Sequence, residues 1–134
     1  MKAFYIESDI KVATYDIDFA GHVSNISYLR WLEDMRRSMF DQYSPFRDFI
    51  EKGVTPVLVS TEIKYKKPIR LFDEPKCRMW ISELSRTTLT VEAEIALKGE
   101  LMTVAKHVGV FVDLTTMKPV RLPREFVEAV HGSL

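Results

Sequence analysis

From Ile26 to about Gln42 the apolar residues Tyr28, Leu29, Leu32, Met35 and Met39 recur at three- and four-residue spacings, and no proline interrupts them. That is the period of one buried helical stripe. Trp31 and Phe40 widen the stripe past half of the helix circumference. A helix so covered is wrapped by other elements rather than laid on a surface, which narrows the folds open to the chain. Its polar side carries Arg30 with Asp34 and Glu33 with Arg37, opposite charges four residues apart, each worth about 0.2–0.5 kcal/mol when exposed. Ser24 or Asn25 supplies the N-cap.

The wrapping material is strand-like. Residues 3–15, "AFYIESDIKVATY", alternate apolar and polar positions and read as a first strand. After the helix, "SPFRDFIEKG" reads as a short helical turn between Pro45 and Gly53. Four runs rich in β-branched and aromatic residues follow, at 56–67, 74–84, 87–98 and 101–114. Their connections are short, which favours antiparallel neighbours, and the last three form a meander. "PREFVEAV" reads as a short closing helix with Pro123 near its first turn. With no repeat or linker, the 134 residues suit one domain, 1–134, of α+β class: an antiparallel sheet packed on one main helix. Such a sheet leaves an edge and a far side needing cover, so self-association is expected.

Composition removes several function classes. Nineteen basic and nineteen acidic side chains cancel, so no global field would hold nucleic acid or an anionic membrane. No window approaches the roughly 18 apolar residues of a membrane span, and "MKAFYIESDI" lacks an apolar leader core, which points to a cytoplasmic location. Cys77 is the only cysteine, so no internal disulfide and no CxxC site is possible. His22, His107 and His131 are scattered without metal-ligand spacing, and no metal or other cofactor is expected.

Chemistry-bearing residues gather at one place, "DIDFAGHVSN", just before the helix. A helix start offers unpaired N–H groups and roughly half a positive charge, able to polarise a carbonyl oxygen as it becomes negative. A nearby carboxylate can attack the carbonyl carbon or take a proton from water. Asp18, Gly21, His22 and the helix start at Asn25 therefore make half of an acyl-transfer site. Thioesters suit it, because a thiolate leaves without much general-acid help, and the chain has no GxSxG elbow. The same residues are also ordinary turn chemistry, with Asp16 and Asp18 as turn formers, Gly21 as a left-handed link and Asn25 as cap. Spacing does not choose between the two.

The stretch "YDIDFAGHVSNISYLRWLEDMRR" resembles the signature of the 4-hydroxybenzoyl-CoA thioesterase-like branch of the hotdog fold, D-x-D-x-x-G-H-V-x-N-x-x-Y followed by a long helix. "KYKKPIRLFDE" and "GVFVDLTTMKPVRLP" resemble a further strand exit and the last strand of the same family. The resemblance implies a hotdog fold, an antiparallel sheet wrapped around one long central helix, and an acyl-CoA thioesterase acting without cofactor as a homodimer or homotetramer. It implies Asp18 as the catalytic carboxylate and the amide near Asn25 as the donor to the thioester carbonyl, with Gly21 and His22 at the same site. Asp16 falls to structure, and Glu33 to an accessory place at most. Ser24 stands where relatives often have asparagine. Hydrolysis of acyl-carrier-protein thioesters and non-catalytic acyl-CoA binding are the competing functions. Lys64, Lys66, Lys67 and Arg70 form the densest basic cluster, read either as a solvated strand edge or as a clamp for coenzyme A phosphates.

Overall fold

A computed structural model describes residues 1–134. The wide apolar stripe becomes α1, Asn25–Tyr43, with Tyr28, Trp31, Leu32, Met35, Met39 and Phe40 buried. Leu29, placed on the stripe by its spacing, is 46% exposed. The strands are β1 (Ala3–Asp9), β2 (Val54–Tyr65), β3 (Lys76–Leu84), β4 (Thr88–Leu97), β5 (Glu100–Asp113) and β6 (Pro119–Val120). They form one antiparallel sheet in the order β1-β3-β4-β5-β2, with β6 paired to β5. β3, β4 and β5 are the expected meander, while β2 lies outside β5 as an edge strand.

The concave face closes on α1. Along β5, Thr103, Ala105, His107, Gly109 and Phe111 alternate onto this face, opposite Tyr65, Ile63, Thr61, Leu58 and Pro56 of β2. Two short helices, α2 (Phe46–Glu51) and α3 (Arg124–Gly132), seal the C-terminal end of α1. There Phe40, Phe49, Phe111 and Phe126 form a cluster with ring centroids 5.0–6.4 Å apart. Each such aromatic pair adds ~0.5–1.5 kcal/mol beyond area burial, so the helix is fixed at the end away from its N-terminus.

Two expectations are corrected. The first strand ends at Asp9, six residues early, because the buried Asp16 carboxylate captures the Ala13 amide (2.8 Å) and winds Thr14–Asp16 into a 3-10 turn. On α1, neither Arg30–Asp34 nor Glu33–Arg37 closes; Arg37 pairs instead with Asp41 at 2.8 Å. No helix is long and apolar enough to cross a membrane.

Candidate active site

The loop before α1 is built by two aspartates with opposite environments. Asp16 is 5% exposed. One of its oxygens accepts from the Ala13 N–H and the other from the Ser27 hydroxyl at 2.8 Å, while its carbonyl accepts from the Ser24 N–H. It ties the loop to the first turn of α1 and has no oxygen to spare. Asp18 is exposed: its Oδ1 accepts from the amides of Ala20 (2.9 Å) and His22 (3.2 Å), and its Oδ2 has no partner. Two backbone bonds orient the carboxylate and leave one oxygen for chemistry.

Gly21 makes this possible without touching a ligand space. At φ +81° it takes the left-handed conformation that disfavours a Cβ, and its N–H returns to the Asp18 carbonyl at 3.1 Å. The turn closes with the Asp18 N–H on the His22 carbonyl at 2.8 Å and an isolated bridge between Ile17 and Val23.

Ser24, not Asn25, is the N-cap: its side chain accepts from the Ser27 amide. Asn25 is thus the first residue of α1, and its own N–H has no acceptor within the chain. That orphan donor and Asp18 line one hollow of about 260 Å³, together with His22, Val23, Tyr28, Tyr65, Lys66, Lys67 and Pro68. Asp18, His22 and Asn25 are therefore brought together, and Gly21 stands behind them in the turn. A larger hollow of about 400 Å³ on the other flank of α1 contains Asp16, Arg30 and Asp34 but neither Asp18 nor the helix start.

Of the basic cluster, Lys66 and Lys67 reach the hollow. Lys67 is held by Glu100 at 3.0 Å and Lys64 by Glu62 at 3.6 Å, whereas Lys66 carries no ion pair. Tyr28 and Tyr65, with centroids 5.0 Å apart, floor the hollow, and burial raises both phenol pKa values, so they stay neutral. Glu33 lies outside it. Cys77 is buried, and desolvation pushes its thiol up to about 12, which removes it as a nucleophile.

Sequence reasoning passed over the tyrosines, although Tyr28 sits three residues from Asn25. It also passed over Arg36, whose spacing between Leu32 and Phe40 places a charge on the buried stripe. That charge among apolar neighbours was the available signal.

Residues 12–130 match the thioesterase-like superfamily. The chain is 29% identical over 125 residues to the long-chain acyl-CoA thioesterase FadM of Escherichia coli, covering 92% of this chain and 95% of that one. Among solved structures it resembles a DHNA-CoA thioesterase from Staphylococcus aureus (TM-score 0.87, 25% identity, 96% of this chain and 89% of that one). It also resembles a thioesterase complexed with coenzyme A and Zn from Thermus thermophilus (TM-score 0.84, 27% identity, 98% and 94%). With the family model and the fold agreeing, the chain belongs to the thioesterase-like superfamily and is a hotdog-fold thioester hydrolase.

Proposed function

We propose that the chain is an acyl-CoA thioesterase in which Asp18 and the Asn25 amide perform the chemistry. The observation that carries this reading is a carboxylate with one oriented, unpartnered oxygen and an orphan helix-start N–H lining one hollow. The thioester carbonyl oxygen accepts from the Asn25 N–H, where the helix dipole stabilises the charge that develops on it. Asp18 Oδ2 takes a proton from water as the water oxygen attacks the carbonyl carbon. The C–S bond then breaks, coenzyme A leaves as a thiolate that takes up the proton, and the acyl group departs as the free acid. His22 shapes the hollow beside Asp18. Lys66, unpaired at its rim, meets a coenzyme A phosphate.

In this reading the acyl chain runs along a seam between α1 and β2, the two elements that line both the hollow and a slot walled by Phe40, Pro56, Val57 and Leu58. That seam is open because β2 is an edge strand, with Leu58 and Val59 41% and 58% exposed. Pairing of β2 with its twin in a second copy covers it, giving a homodimer or a pair of dimers. The domain 1–134 acts as one unit, and its single buried cysteine gives it no dependence on an oxidising compartment, in keeping with the cytoplasm.

Initial rates of thiol release across short, long and aromatic acyl-CoAs test the function, with the same acyl groups on a carrier protein as a second arm. Turnover of coenzyme A esters that Asp18→Ala abolishes supports the reading. Turnover confined to the carrier-protein esters, or binding without hydrolysis at every chain length, overturns it.

A further inference from the structure

At the far end of the α1–β2 seam the protein holds a charge it does not neutralise. Arg36, half-buried on α1, lines a slot of about 60 Å³ whose other walls are Phe40, Phe46, Pro56, Val57, Leu58, Leu89, Val91 and Gly109. It makes no ion pair in the chain. Burial lowers its pKa, with only Glu33 of the same helix opposing the trend. Beside the slot His107 is fully buried, cross-strand from Val91 and two residues from Gly109. Its Nδ1 is 3.1 Å from the Thr61 hydroxyl, and its Nε2 has no partner. Gly109 keeps the slot open, since a Cβ there would meet the Val57 carbonyl oxygen at 3.2 Å.

Buried charges and buried imidazole nitrogens are normally satisfied, because leaving them unpaired costs free energy. The guanidinium lining the slot is a donor for a carboxylate, which arginine binds by two parallel bonds. Apolar walls leading to a charged end describe a chain that is hydrocarbon along its length and anionic at its tip.

Resting on the acyl-CoA reading above, we propose that Arg36 selects acyl groups bearing a carboxylate at the end remote from the thioester. Arg36 lies eleven residues beyond Asn25, about 16 Å at 1.5 Å per residue, and its side chain leans back toward the helix N-terminus. A straight chain gains ~1.25 Å per carbon from the ~1.5 Å bond and tetrahedral angle, so about eight to twelve carbons span the seam.

The test compares kcat/KM for dodecanoyl-CoA with that for its ω-carboxy counterpart of equal length, in wild type, Arg36→Leu and Arg36→Lys, with solution mass measured alongside. The wild type is expected to favour the carboxy-ended ester about tenfold or more, the scale of a charge-assisted hydrogen bond. Arg36→Leu should lose the preference and Arg36→Lys should recover part of it. Because the ratio is internal to each variant, partial misfolding does not mimic the result, and Arg36→Gln replaces a leucine variant that fails to fold. A wild-type preference for the methyl-ended ester, or a ratio that Arg36→Leu leaves unchanged, overturns the inference. So does a ratio near unity, and dissociation of Arg36→Leu alongside it would mean that a second copy supplies the carboxylate. If neither ester is hydrolysed, the function fails separately. Dodecanoate raising the wild-type Tm more than dodecan-1-ol, with the difference lost in Arg36→Leu, would then still uphold the subsite, and equal shifts would sink it.

Discussion

The two ends of the α1–β2 seam leave polar groups unpaired in opposite ways. At the N-terminal end Asp18 Oδ2 and the Asn25 amide are held by a loop and face solvent, so water satisfies them until a substrate arrives. At the other end His107 is sealed between regular elements and Arg36 is half-covered, so what is unpaired there costs stability. The first arrangement suits chemistry, which needs water and exchangeable protons. The second suits recognition, in which a ligand supplies the missing partner. Asp16 and Asp18 show the same contrast within three residues, one with every oxygen spoken for and the other with one free.

The largest effect expected from this contrast is acid lability at the buried end. Burial, and then the Arg36 charge from α1, hold His107 down to about 4 against its ordinary 6.5, with uncharged Thr61 of β2 and Val91 of β4 as its cross-strand neighbours. Between those values the unfolded chain binds a proton that the folded chain refuses, so stability rises with pH across the window and is lost as pH falls through it. At ~1.4 kcal/mol per pKa unit the loss reaches up to ~3 kcal/mol. Urea midpoints at pH 7, 5 and 4 measure it. A flat profile in the wild type, or an equal slope in His107→Gln, would break the assignment.

Asp16→Ala comes next. It strands the Ala13 amide and the Ser27 hydroxyl, costing ~2 kcal/mol, and thermal melts should show a lower Tm with the fold retained. A Tm equal to wild type would remove Asp16 from its structural place. Ser24→Ala removes the N-cap for ~1 kcal/mol, read in the same melts, and by loosening the Asn25 amide it should lower kcat more than it raises KM. The smallest effect belongs to Lys66→Ala. Loss of one exposed charge at the rim should raise KM for an acyl-CoA a few-fold with kcat unchanged, less at high salt; a salt-independent KM would sharpen the picture toward the neutral pantetheine arm.

Much of this was legible in the sequence because it rests on local patterns. The stripe from Tyr28 to Phe40 named the central helix, alternation and runs of β-branched and aromatic residues named five of the six strands, and the D-x-D-x-x-G-H motif drew attention to Asp18, Gly21, His22 and Asn25. The far end of the seam was not legible. The charge of Arg36 acts on His107 only because the fold brings α1 near β5, a juxtaposition of residues 71 apart in the chain. The early end of β1 escaped for a related reason, since alternation continues through Val12 while the Asp16 carboxylate, reaching back to Ala13, decides where the strand stops.

The claim on which the account turns is that Asp18 is the reactive carboxylate and Asp16 is not. Thiol release from a hydrolysed acyl-CoA by Asp18→Asn, with Tm measured on the same sample, tests it most directly. The side-chain amide keeps an oxygen for the Ala20 and His22 amides but cannot take a proton from water. The account predicts kcat lower by about 10²–10⁴-fold at a Tm close to wild type. A kcat within a few-fold of wild type at that Tm would contradict it.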